Sequence, residues 1–85
     1  MSLVFTEEAD LQLRALEADP AQGRLVKSIY RSLDLLEGHP GDAECRAVRY
    51  TNHSFRMNVA RSEYMIIWRA IDEHDQLVTY IGPAL

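Results

Sequence analysis

From Ser54 to Gly82, apolar runs alternate with short polar stretches. Three runs rich in β-branched and aromatic residues, Phe55–Ala60, Tyr64–Ile71 and Leu77–Ile81, are separated by Arg61-Ser62-Glu63 and Asp72–Gln76. Breaks of that length between apolar runs read as hairpin turns, so the pattern predicts a three-stranded antiparallel meander. Successive side chains of a strand point to opposite faces. Phe55, Met57 and Val59 therefore share a face, as do Tyr64, Ile66, Trp68 and Ala70, and these two sets are expected against the helices. Arg56, Asn58, Met65 and Arg69 are then expected together on the open face.

The first half of the chain has helical spacing. Leu3-Val4-Phe5 is long enough for a brief strand, and Thr6 is a good N-cap with Glu7 and Glu8 in the turn that follows. Ala9, Leu13 and Leu16 recur at i, i+4 and i+7, and Asp19-Pro20 ends that helix. A second helix is predicted from Arg24 to Glu37, with Leu25, Val26, Ile29, Tyr30, Leu33 and Leu36 on its apolar face. Gly38 is placed as its C′ residue, and His39-Pro40-Gly41 as the stop. Asp42 and Glu44 then read as a loop and Cys45–Thr51 as another strand. The expected fold is α+β: a two-helix hairpin packed on one face of a mainly antiparallel sheet, in the order β-α-α-β-β-β-β, forming a single domain over residues 1–85. A domain of this size buries only about 60–65% of its unfolded surface, so a partner or a homodimer would add stability.

Charge refines this picture. The net charge is −4, which by itself counts against nucleic-acid binding. Its distribution is uneven: residues 1–44 carry nine acids and four bases, whereas Cys45–Ile71 carries five arginines and one acid, Glu63. Two readings stay open for those arginines, an anion-receptive surface or long stems covering a solvated sheet face. Arg24, Lys27 and Arg31, at i, i+3 and i+7, form a further basic stripe suited to a phosphate backbone, an acidic partner or plain solvent. The single cysteine, Cys45, excludes an intrachain disulfide and any multi-cysteine metal site, and it fits a reducing cytoplasm. No apolar run is long enough to span a membrane, and no signal-peptide pattern is expected. There is no Gly-rich phosphate loop and no cofactor motif. His39, His53 and His74 lie in predicted turns without metal-ligand spacing, so no metal and no cofactor are expected.

The N-terminal V-F-T-E-E-A-D-L-Q-L-R-A-L, the helical hairpin and above all F-R-M-N-V-A-R-S-E-Y-M-I-I-W-R-A-I-D-E-H-D-Q-L-V-T-Y-I-G resemble the RelE/ParE toxin superfamily. The family pattern is "lyR-v-r", a turn, "yRiiY-id", then "v-v-l-vG". The resemblance implies a small cytoplasmic bacterial toxin of a type II toxin–antitoxin pair, with a cognate antitoxin as partner. In the RelE branch the target is mRNA in the ribosomal A site; in the ParE branch it is DNA gyrase. RNA cleavage of this kind needs cationic side chains where charge builds on the phosphorane and the leaving oxygen. The resemblance places one such residue at Arg56. Two other family positions fall on Asn58 and Met65, which carry no charge, and Gly82-Pro83-Ala84-Leu85 offers no counterpart to the basic residues and tyrosines that follow "vG". Arg56 and Arg69, with Arg46, Arg49 and Arg61 as further RNA- or phosphate-binding residues, form the candidate substitute cluster. Tyr64 or Tyr50 is the candidate proton donor. An antitoxin is expected over Arg24, Lys27 and Arg31 or in the sheet groove. The alternatives are a non-catalytic protein-interaction module and a ParE-like gyrase inhibitor on the same scaffold.

Overall fold

The computed structural model describes residues 2–50 and 52–84. Strand β1 (Ser2–Phe5) leads into helix α1 (Glu7–Glu17). Thr6 caps this helix as its sequence suggests: the Ala9 N–H donates to Thr6 Oγ1 at 3.2 Å, and Glu7, Glu8 and Asp10 sit in the positive first turn. Asp19 accepts from the Ala21 N–H at 3.0 Å and starts a 3-10 turn at Pro20–Gln22. Helix α2 (Gly23–Gly38) runs back alongside α1, and the Tyr30 hydroxyl donates to Glu17 Oε1 at 2.9 Å across the pair.

The predicted end of the helical half needs two corrections. Gly38 belongs to the last turn of α2, and no described glycine has a positive φ, so it is not a left-handed C′ residue. Pro40 does not terminate helical structure but starts a third helix, α3 (Pro40–Arg46). Proline is well suited to a first helical position, where its missing N–H costs nothing, and Asp42 lies in the positive first turn. Tertiary packing completes this short helix, because Ala43 is fully buried in the core. Cys45 and Arg46 are therefore helical rather than extended. The strand expected over Cys45–Thr51 shrinks to β2 (Val48–Arg49), and Thr51 lies outside the described residues.

The meander forms with adjusted ends: β3 (Phe55–Asn58), β4 (Tyr64–Ala70) and β5 (Asp75–Pro83). Val59 leaves the ladder but stays buried, its N–H donating to the Tyr64 carbonyl. The five strands lie in the order β1-β5-β4-β3-β2, with β1 parallel to β5 and every other pair antiparallel. Residues from all three helices and from one sheet face make up the core: Ala9 and Leu13 from α1, Ile29, Leu33 and Leu36 from α2, and Ala43, over Met57, Ile66, Trp68, Val78 and Ile81. Trp68 is fully buried and stacks on Phe55, with ring centroids 5.5 Å apart. Ala70, expected on this face, is exposed at the end of its strand.

Strict alternation does not account for β5. Ile67 pairs with Tyr80 but Trp68 with Val78, so Thr79 is an extra residue, a β-bulge. The bulge brings Val78 and Ile81, three residues apart, onto the same helix-facing side. Its polar groups find partners: Thr6 Oγ1 donates to the Thr79 carbonyl and Thr79 Oγ1 to the Ile67 carbonyl, both at 3.3 Å. The Ile81 N–H donates to Gln12 Oε1 at 2.8 Å.

Candidate functional site

The ladder between β3 and β4 settles which arginines share a face. Phe55 lies opposite Trp68 and Arg56 opposite Ile67. Residues directly opposite in an antiparallel pair project to the same side. Arg56 therefore joins Met65, Ile67 and Arg69 on the face away from the helices, as the alternation predicts. Arg69 is the diagonal neighbour of Arg56, a placement with about 7–8 Å between such positions.

The surroundings of Arg56 are specific. Its guanidinium carbon lies 5.9 Å from the centre of the Tyr50 ring, a cation–π arrangement that fixes the side chain at the rim of the sheet. Arg56 also lines a groove of about 490 Å³ between α2, α3 and the edge of β3, with Arg31 and Arg46 on its other walls. A second depression of about 590 Å³ adjoins it, sharing Ser28, Arg31 and Ala60, and adds Arg24, Lys27 and Arg61. Arg61 reaches that position from the β3–β4 turn, where its φ of 60° is left-handed. No acidic residue lines either depression, and none of these six cations has an ion-pair partner among the described residues. On a chain of net charge −4, six of nine basic residues thus line one continuous surface.

The sequence-based grouping of the cations is rearranged. Arg61, expected with the phosphate-binding set, sits with the α2 stripe of Arg24, Lys27 and Arg31. Arg46 joins Arg31 and Arg56, because α3 carries it there. Arg49 does not join them: its guanidinium lies over the Phe55 ring at 5.5 Å, and with Arg69 it lines a separate depression of about 630 Å³ that also includes Glu44, Cys45 and His53. Arg56 and Arg69 thus share a face but border different depressions. Tyr64 is not brought to either. Two positions from Ile66 on the same strand, it faces the helices and packs against the core. That leaves Tyr50, under Arg56, as the tyrosine beside the arginines. The signal for the Arg31–Arg46–Arg56 groove lay in Pro40, Asp42 and Arg46, which together mark a short helix.

Met65 lies on the arginine-bearing face yet is only 1% exposed. Opposite it in register is Gly82, and the ring of Tyr80 lies over that glycine, its hydroxyl donating to the Pro83 carbonyl at 2.8 Å. A side chain at position 65 is thus covered. Among the described residues no group of three His, Cys, Asp or Glu side chains is placed to hold a metal ion. No described helix is long and apolar enough to cross a membrane.

Comparison with solved structures identifies the fold. The YoeB/ParE toxin from Agrobacterium tumefaciens superposes with a TM-score of 0.81 at 13% identity, covering 100% of both chains. The chromosomal ParDE toxin–antitoxin system of P. aeruginosa gives 0.75 at 17% identity, over 100% of this chain and 97% of that one. The intact E. coli RelBE toxin–antitoxin complex gives 0.70 at 20% identity, over 98% and 95%. Neither a protein-family model nor a curated protein matches the sequence. The chain has the RelE/ParE-like toxin fold.

Proposed function

We propose that this chain is the toxin component of a type II toxin–antitoxin pair, acting as one RelE/ParE-like domain over residues 1–85 in the cytoplasm. The observation that carries the reading is the shared fold: of three solved structures that match the chain along its length, one is a toxin and two are toxin–antitoxin systems or complexes. The target is RNA phosphate, and the mechanism is electrostatic. Arg56, held over Tyr50 at the open sheet face, meets the charge that builds on the scissile phosphorane, and Arg46 and Arg31 hold the flanking backbone. Tyr50 is the available proton donor for the leaving oxygen. No cofactor is required. A cognate antitoxin and the ribosome-bound mRNA are the proposed partners.

Primer extension on mRNA from ribosomes incubated with the purified chain tests the reading. Cuts at A-site codons are the expected result. Inhibited gyrase supercoiling without cuts would move the function to the ParE branch.

One observation favours a second reading, a non-catalytic interaction module. Met65 replaces a basic residue of the family pattern and is buried, and Asn58 replaces another. Each absent charge contact costs about 10²–10³-fold in rate. If neither cuts nor supercoiling inhibition occur and a stable complex with an acidic protein forms, the module reading replaces the first.

A further inference from the structure

The proposed chemistry leaves Tyr80, an aromatic side chain of the open sheet face, unused. Arg56 lies opposite Ile67 and Ile67 opposite Tyr80, so the three form one cross-strand row on the side away from the helices. Two strand spacings, about 10 Å, separate the backbones of Arg56 and Tyr80. The Tyr80 side chain runs along its own strand to cover Gly82, and its hydroxyl donates to the Pro83 carbonyl at 2.8 Å. A Cβ at position 82 would meet the ring at 2.8 Å, so the glycine is what lets the ring settle there. The ring is thus held from below and at its tip. It is half-buried, and the helices pack on the opposite face of the sheet, which leaves its outer side to solvent. The other tyrosines have different neighbours: Tyr30 bonds to Glu17, Tyr50 lies under Arg56 and Tyr64 packs on the core.

We infer that Tyr80 is a base-stacking residue, which positions the RNA strand by receiving the base of a nucleotide adjacent to the one whose phosphate meets Arg56. The inference rests on the RNA reading and adds to it a residue outside the arginine groove. A cationic side chain beside an exposed aromatic ring suits single-stranded nucleic acid of any sequence, because every base has a π-face. A ring already fixed in place loses little conformational freedom on binding. Ile67, half-buried between Arg56 and Tyr80, offers apolar contact to the intervening ribose. Covering Met65 asks only for an apolar side chain, whereas stacking asks for an aromatic one, so an aliphatic replacement separates the two roles.

The test is fluorescence anisotropy with the full chain and two labelled decamers, a 2′-O-methylated decaadenylate, which has no 2′-hydroxyl to attack its own phosphates, and an abasic strand of the same length. Tyr80→Leu should weaken binding of decaadenylate about tenfold, the loss of one base–aromatic stack, and Tyr80→Phe should keep it. Neither variant should change binding of the abasic strand, whereas Arg56→Ala should weaken both decamers. If Tyr80→Leu lowers the unfolding midpoint, the wild-type chain gives the same reading by NMR: the Tyr80 ring protons should move upfield as decaadenylate is added and stay in place with the abasic strand. Equal binding of decaadenylate by the wild type and Tyr80→Leu, or unmoved ring protons, with Arg56→Ala still weakening it, would overturn the inference and leave the RNA reading standing. Binding of neither decamer by the wild type would overturn both.

Discussion

Replacing Gly82 by alanine asks whether Tyr80 covers the arginine-bearing sheet face as described. A Cβ at position 82 would lie 2.7 Å from the Tyr80 hydroxyl oxygen and 2.8 Å from Cζ, so the ring has to swing away. Three terms set the size of the effect. Loss of the hydroxyl bond to Pro83, which is exposed, costs about 0.5 kcal/mol. Partial uncovering of Met65, whose full burial is worth about 1.5–3 kcal/mol, costs about 1 kcal/mol. Against these, a glycine-to-alanine change returns about 0.5 kcal/mol by restricting the unfolded chain. The net expectation is a loss of about 1 kcal/mol. In a Tyr80→Ala background the obstacle is gone, so the same substitution should stabilise by about 0.5 kcal/mol, a coupling of about 1.5 kcal/mol. Urea unfolding followed by circular dichroism on the four proteins of the cycle measures both numbers. An effect of the same sign and size in both backgrounds would refute the proposed packing of Tyr80 over Gly82.

Two further outcomes follow from the same face and its neighbouring turn. Met65→Arg should destabilise the fold by about 1–3 kcal/mol, because a long cation is forced into a covered position; calorimetry of the variant measures it, and an unchanged melting temperature would contradict the burial. Asp72 Oδ1 accepts the N–H groups of His74 and Asp75, at 2.7 and 2.9 Å, and these bonds hold its pKa below the ordinary 3.8. A depressed carboxylate pKa contributes stability that is complete above the ordinary value and is lost as pH falls through the folded one. The β4–β5 turn should therefore loosen only below the ordinary carboxylate range, which the Asp72 side-chain carboxyl shift followed by NMR reports directly; an Asp72 carboxyl midpoint at or above pH 3.8 would contradict this.

Much of the sheet was legible because residues 55–58 and 64–70 follow a period of two closely enough to fix which side each side chain takes. Arg56 and Arg69 share the open face, and Ile66 and Trp68 lie under the helices. The Thr79 bulge was not legible, because an inserted residue leaves no mark on composition; Thr6 and Gln12, distant in sequence, provide the partners that make it tolerable. Helix α3 was missed because Pro40 serves equally as a stop and as a first helical residue, and the choice between them rests on the burial of Ala43. That omission had a functional consequence. With Cys45 and Arg46 read as extended, nothing placed Arg46 beside Arg31, and the groove at the open end of β3 could not be seen. Tyr64 lies apart from the arginines for a simpler reason: its parity puts it with Ile66, on the side that the helices cover.

Growth after induction of the wild-type chain and of Arg56→Ala, at equal soluble amounts, measures the central claim most directly. The account predicts arrest by the wild type and relief by the variant, as expected if Arg56 supplies a charge contact worth about 10²–10³-fold in rate. Full arrest by the variant, or none by the wild type, would contradict it.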